Sequence, residues 1–133
     1  VQVVVFKLND EEFAVETSKV QGINDMMEIT KVPKAPQHIM GLINLRGNII
    51  SLLNINMLLD TDKNNSNLSN IIILHMDDEQ IGIAVNEVNE VLDIEDSIIE
   101  KLDESRRKPY IKGVINFKDR IVTLIDVEKL ILN

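Results

Sequence analysis

The sequence predicts an all-β fold of two similar lobes related by an internal pseudo-two-fold repeat, and three observations carry that prediction. The first is the repeat itself. Residues 38–59 align without a gap against residues 110–131, with identities at Ile39/Ile111, Gly41/Gly113, Ile43/Ile115, Asn44/Asn116, Ile49/Ile121, Leu52/Leu124 and Leu58/Leu130. Upstream, VVVFKLNDEEFAV (3–15) matches IIILHMDDEQIGI (71–83) at a slightly shorter offset, so the second half holds four extra residues between its two matching blocks. The second observation is composition: 20 Ile and 13 Val against 3% aromatics, a β-branched load that fits a pleated surface better than a helix. The third is punctuation. Short Ile/Val-rich runs alternate with acidic, Asn- and Gly-containing turn formers along the whole chain.

Taken in order, VQVVVFKL and EEFAV form an opening hairpin that turns within LNDEEF (8–13), and NIIILHM with QIGIAV form its copy, turning within MDDEQI (76–81). KVPKAP (31–36) is extended, because each proline biases its predecessor away from helix, and Pro36 opens a short turn over Gln37–Met40. GLINLRGNIISLL and GVINFKDRIVTLI form a second hairpin in each half, turning at Arg46-Gly47-Asn48 and Lys118-Asp119-Arg120. The strand runs read here extend through GNIISLLNI and RIVTLIDV. TDKNNSNLSN (61–70) reads as the linker between halves, being polar and poor in bulky apolar residues. Segment 85–102 stays open: Val85, Val88, Leu92, Ile99 and Leu102 fit a helical stripe, yet its counterpart in the first half follows a strand.

A chain of 133 residues buries roughly two-thirds of its unfolded surface, so its core needs no disulfide or metal. With no cysteine, disulfide scaffolds and thiol chemistry are excluded and a reducing compartment is compatible. The start, VQVVVFKLND, lacks the pattern of a signal peptide, and no apolar run approaches the roughly 20 residues that span a bilayer. A net charge of −8 opposes nucleic-acid backbones and anionic membrane surfaces. The expectation is therefore no nucleic acid, no membrane insertion and no cofactor.

Chemistry-bearing residues are few. His38 and His75 align with Tyr110 and Lys7, so neither position demands imidazole, and no second ligand stands at zinc spacing. Asp77-Asp78-Glu79 and Asp93-Glu95-Asp96 lack the glycine and terminal Glu of a calcium loop. Neither a nucleotide motif nor a nucleophile–base pairing is present, so no catalytic residue and no metal ligand is assigned. Gly41, Asn44, Gly113 and Asn116, kept in both copies, read as structural turn residues: the glycines for a tight backbone approach or positive φ, the asparagines for a local side-chain bond. Val20, Ile23, Met26 and Met27 form an apolar patch that is either core or a protein-binding surface, with Ile23 assigned to the core. Arg46 is either a solvated turn residue or a planar five-donor anchor that its copy Lys118 cannot equal.

The run Pro36-x-x-Ile39-x-Gly41-Leu42-Ile43-Asn44-Leu45-Arg46-Gly47 resembles the signature of the bacterial chemotaxis coupling protein family, CheW. Lys19-Val20-Gln21, Val32-Pro33, Ile81-Gly82-Ile83-Ala84-Val85 and Gly113-Val114-Ile115 fit the same family in order and spacing, so the resemblance covers essentially the whole chain. It implies a single domain over 1–133 built as two SH3-like five-stranded β-barrels, the first mostly 13–60 and the second mostly 71–120. Each is expected to borrow a strand from the other half, because exchanged ends bury sheet edges.

The resemblance also implies a non-catalytic, cytoplasmic adaptor recruited to receptor arrays at the inner face of the membrane. Its partners would be the regulatory domain of the histidine kinase CheA and the cytoplasmic tips of methyl-accepting chemoreceptors. By the same resemblance Val20, Gly22, Arg46 and Gly47 fall at the receptor-binding groove, with the Arg46 guanidinium expected in the groove between the barrels, and Ile39, Met40 and Ile49 fall at the kinase-binding face. The alternatives are an excised CheA regulatory domain, a CheV-type adaptor domain, or a β-barrel that binds a small ligand. Three departures stand out: Ser51 and Asn54 where the family often has Pro and Asp, and Gly22 where it often has Glu.

Overall fold

A computed structural model describes residues 1–59, 67–103, 105 and 108–132. The strands are β1 (Gln2–Leu8), β2 (Glu11–Glu16), β3 (Val20–Asp25), β4 (Ile39–Leu45), β5 (Asn48–Leu53), β6 (Asn70–Met76), β7 (Glu79–Val85), β8 (Glu87–Asp93), β9 (Ile99–Glu100), β10 (Ile111–Asn116) and β11 (Ile121–Ile125). Two one-turn helices, α1 (Ile55–Leu59) and α2 (Val127–Ile131), follow β5 and β11, and 3₁₀ turns lie at Thr17–Lys19 and Asp96–Ile98. One sheet runs β3-β6-β7-β5-β4 and the other β8-β1-β2-β11-β10-β9.

The two sheets repeat in register. Gly22 pairs with Ile73 and Glu90 with Val5, each beside a bulge that leaves out Gln21 or Asn89. Ser51 pairs with Ile81 in the parallel β5–β7 contact, as Thr123 pairs with Phe13 in β11–β2. The sixth strand of the larger sheet, β9, is the two-residue counterpart of an isolated bridge between Thr30 and Leu42.

The barrels divide the chain differently from the expected ranges of 13–60 and 71–120. Whole hairpins cross over, not single strands: β1–β2 joins the sheet of the second half, and β6–β7 joins that of the first. Burial gives the reason. Val3 and Val5 of β1 point into the interior of the second barrel with Ile115, Val122 and Leu124. Val4, Phe6 and Leu8 point the other way, into a core between the barrels with Ile72, Leu74, Ile83 and Leu130. In β6, Ile71 and Ile73 fill the first barrel with Ile43, Ile50 and Leu52. A hairpin that is apolar on both faces is satisfied only between a barrel interior and this shared core.

Segment 85–102 resolves as β8, a 3₁₀ turn and β9. Its apparent helical stripe comes from the bulge at Asn89. Val88 lies opposite Phe6 and packs on the shared core, while Leu92 lies opposite Val3 and packs on the second barrel's interior. The runs read as strands through Ile55 and Val127 end sooner, at Leu53 and Ile125. Asn54 and Asp126 break both ladders alike: the Asn54 N–H donates to the His38 carbonyl and the Asp126 N–H to the Tyr110 carbonyl, both at 2.7 Å. The Asp126 side chain then accepts from the Lys129 N–H at 3.2 Å, a helix N-cap. Of the linker reading over 61–70, residues 61–66 lie outside the described residues, and Asn70 opens β6.

Gly41 and Gly113 are strand residues at bulges, not turn residues. They serve a close approach. A Cβ on Gly41 would stand 2.5 Å from the Thr30 carbonyl oxygen, and one on Gly113 2.7 Å from that of Glu100.

Candidate functional site

The β4–β5 hairpin turns on two residues. Arg46 has φ 54° and Gly47 φ 88°, the left-handed pair of a type I′ turn. The Gly47 N–H donates to the Asn44 Oδ1 at 2.9 Å, the local side-chain bond that the asparagine was expected to make. A left-handed arginine carries backbone strain of order 1–3 kcal/mol. In the second copy, Lys118 and Asp119 keep negative φ, and the Phe117 N–H donates to the Arg120 carbonyl at 2.9 Å. The two tips therefore aim their basic residues differently. Asn116, at the exposed end of β10, has no counterpart of the Asn44 bond among the described residues.

Arg46 stands at a groove of about 340 Å³ lined by Gln21, Gly22, Ile23, Asn24, Leu45, Ile73 and Gln80. Among the described residues it is the only charged one of that lining. Ile73 is interior core of the first barrel, so the groove is that barrel's mouth and not the groove between the barrels where the Arg46 guanidinium was expected. Of the four residues that the sequence placed at a groove, two, Gly22 and Arg46, share this one. Val20 instead packs against the core between barrels. Gly47 stands at the exposed tip, where a Cβ would meet nothing within 4 Å. Ile23, expected to be core, is 42% exposed because it projects from the outer face of β3. Met26 and Met27 pack on the interior of the first barrel.

A second groove, of about 490 Å³, holds His38, Ile39, Asn48, Ile49, Ser51, Asp78, Glu79 and Ile131 in its wall, and Gln80 lines both grooves. Ile39 and Ile49 thus come together, with Ile49 63% exposed, while Met40 turns onto the barrel core instead. Ser51 stands in the groove wall, and Asn54 is buried behind it at the start of α1. The repeat reproduces this groove on the second barrel. Asp10, Glu11, Glu12, Arg120, Ile121 and Thr123 line it in the places of Asp78, Glu79, Gln80, Asn48, Ile49 and Ser51. Ile121 is 60% exposed there.

Sequence reasoning missed an ion network at the second barrel's mouth. Arg120 Nη1 donates to Glu12 Oε1 at 3.2 Å, and Arg120 Nη2 donates to Glu90 Oε1. Asn89 Nδ2 donates to the same Glu12 oxygen at 2.7 Å, and the guanidinium lies 5.1 Å from the centre of the Phe117 ring. The hydrogen bond to Glu90 is the main reason that the Arg120 pKa is raised; partial burial opposes it, and Glu12, Glu90 and Asp119 reinforce it. Elsewhere Lys19, between the barrels, pairs with Glu128 of α2, and that bond raises its pKa. The one available signal was the alignment itself, in which Arg120 and Glu90 replace Asn48 and Gly22.

Among the described residues no cluster of His, Cys, Asp or Glu has the arrangement of a metal site, and no helix is long and apolar enough to cross a membrane. Exposed isoleucines, a strained tip arginine and open grooves are features of a surface that binds protein.

Comparison with known proteins agrees. The model of the CheW-like domain matches residues 2–133. The chemotaxis protein CheW of Thermotoga maritima is 26% identical over 131 residues, which span 98% of this chain and 87% of that protein. The chemotaxis protein CheW of Bacillus subtilis is 28% identical over 129 residues, spanning 94% and 83%. The crystal structure of the scaffolding protein TtCheW from Thermoanaerobacter tengcongensis superposes with a TM-score of 0.86 at 29% identity, covering 97% of this chain and 86% of that one. With the signature, the double barrel and these matches in agreement, the chain belongs to the CheW-like domain family of chemotaxis scaffold proteins.

Proposed function

We propose that this chain is a non-catalytic adaptor that couples the cytoplasmic tips of chemoreceptors to the regulatory domain of the histidine kinase CheA. It would act in the cytoplasm, recruited to receptor arrays at the inner face of the membrane. The observation that carries the reading is the pair of adjoining grooves on the first barrel. One presents a single arginine at a barrel mouth, and the other presents exposed Ile49 beside Ile39. Two surfaces of different chemistry on one domain suit a protein that holds two partners at once. Gly22, Arg46 and the tip residue Gly47 are assigned to the receptor side, and Ile39 and Ile49 to the kinase side, while Val20 and Met40, which pack on the cores, support these surfaces from behind.

The test is a binding titration of the full chain against the receptor tip and the kinase regulatory domain of the same organism, each alone and then together. Binding to both, with a ternary complex, is the expected result. Binding to neither overturns the reading, and so does strict competition between the two. Binding to the receptor tip alone would leave a receptor-binding domain that does not couple.

A further inference from the structure

The two barrel mouths are built on one plan and finished in opposite ways. Register fixes the equivalence. Gly22 pairs with Ile73 as Glu90 pairs with Val5, and the bulge residues Gln21 and Asn89 sit beside them. Asn44 pairs with Ile49 as Asn116 pairs with Ile121, which makes Asn48 the counterpart of Arg120. Even the amide bond survives: Gln80 donates to Gln21 where Asn89 donates to Glu12. In the second barrel Arg120 and Glu90 add an ion pair to this bond. In the first barrel Gly22 removes the carboxylate, Asn48 removes the arginine, and a groove of about 340 Å³ remains.

What remains there is a cation without an anion. Arg46 lines the mouth, and no carboxylate among the described residues pairs with it. Gly22 does not owe its place to crowding: a Cβ there would have only the Asn24 Oδ1, at 3.8 Å, in reach, and its φ is not left-handed. A side chain fits, yet the chain supplies none.

We propose that the mouth of the first barrel is a carboxylate-receiving subsite, and that its occupant is a Glu or Asp side chain of a protein partner. The incoming carboxylate takes the place that Glu90 fills in the second barrel. It accepts from the Arg46 guanidinium, with the amides of Gln80 and Gln21 alongside. Gly22 is then the specificity-determining residue, since it leaves the anion to be provided from outside. A guanidinium is suited to this because its planar fork meets both carboxylate oxygens. The proposal deepens the adaptor reading above and rests on it for the choice of partner, the receptor tip.

The first arm of the experiment needs no partner. In full-length Gly22→Glu the new carboxylate should pair with Arg46, seen as slowed exchange and a shifted resonance of the Arg46 Nε–H by NMR relative to Gly22→Gln. An unchanged Arg46 signal overturns the inference whatever the adaptor reading. The second arm titrates the receptor tip. Gly22→Glu should weaken binding tenfold or more, and Gly22→Gln, of equal size, less than threefold. One acid of the receptor tip, changed to Gln, should weaken wild type tenfold and leave Arg46→Gln unaffected. Equal losses for Gly22→Glu and Gly22→Gln, or no receptor acid coupled to Arg46, overturn it. A wild-type chain that binds no receptor tip overturns the adaptor reading instead, and with it the assignment of this occupant.

Discussion

Gly113 lies under the carbonyl of Glu100, so close that a Cβ would stand 2.7 Å from that oxygen and 2.6 Å from the Ile99 Cγ2. Gly41 repeats the arrangement beneath Ile29 and Thr30 in the first barrel, at 2.6 and 2.5 Å. The obstructing carbonyls belong to a backbone held by the bridges of Thr30 to Leu42 and of Glu100 to Val114, so they cannot swing aside. Gly113→Ala and Gly41→Ala should each cost about 1–3 kcal/mol of stability, as overpacking does. Gly22→Ala, with open space around it, should be neutral or slightly stabilising. Urea unfolding of the three variants checks the order; a Gly22→Ala loss equal to that of Gly113→Ala contradicts the explanation.

Arg120 ties three separate strands of the second barrel together, reaching Glu12 on β2 and Glu90 on β8 from the start of β11. The Glu12 side chain is only 11% exposed, so removing its cation strands a largely desolvated carboxylate. Arg120→Met should destabilise by about 1–3 kcal/mol, less than for a fully buried pair because Arg120 and Glu90 keep some solvent. Adding Glu12→Gln should restore part of that loss. Denaturant midpoints of the single and double variants measure it, and strictly additive losses would mean that the pair does not interact.

The fold was legible where the repeat and the β-branched runs spoke together, as in VVVFKL and IIILHM. Hairpin exchange was not, because a run that is apolar on both faces records two burial partners without saying which barrel each belongs to. The helices after Leu53 and Ile125 escaped notice because five residues give no periodicity, although Asp126 ahead of Val-Glu-Lys is a cap signal. In the site, Gly22 and Arg46 line one groove, at the mouth of the first barrel. Val20 and Met40 did not join their grooves, since a bulge or a pleat turns a side chain by half a revolution and sequence spacing does not reveal it. The Arg120 network joins residues up to 108 positions apart, which no local pattern encodes.

Ile49 is 63% exposed in a groove that also holds Ile39, the residue that the adaptor reading assigns with it to the kinase side. Ile49→Asp should weaken binding of the kinase regulatory domain tenfold or more and change receptor-tip affinity less than twofold. Stability should shift little, because no buried contact is lost. The two grooves adjoin at Gln80, so the experiment is a strict one. Equal losses for both partners in a folded variant would show that the grooves act as one surface.

Arg46 should be the most sensitive single surface position. Its left-handed φ of 54° is kept although asparagine or glycine would hold that turn at less strain, and its copy Lys118 has an ordinary backbone. Strain held at an exposed tip is consistent with a side chain whose direction matters. Arg46→Glu reverses the charge at the mouth and should cost about 2–5 kcal/mol of partner binding, the range for a hydrogen-bonded interfacial charge. Arg46→Lys should keep part of the affinity, because the charge stays and the planar fork goes. Unfolding midpoints should stay near wild type, and Arg46→Asn should raise them slightly by easing the turn. Lys118→Glu is the control, a like change at the equivalent tip of the other barrel. Titrations against receptor tip and kinase domain decide the matter: wild-type affinity in Arg46→Glu, or a larger loss in Lys118→Glu, would remove Arg46 from the site.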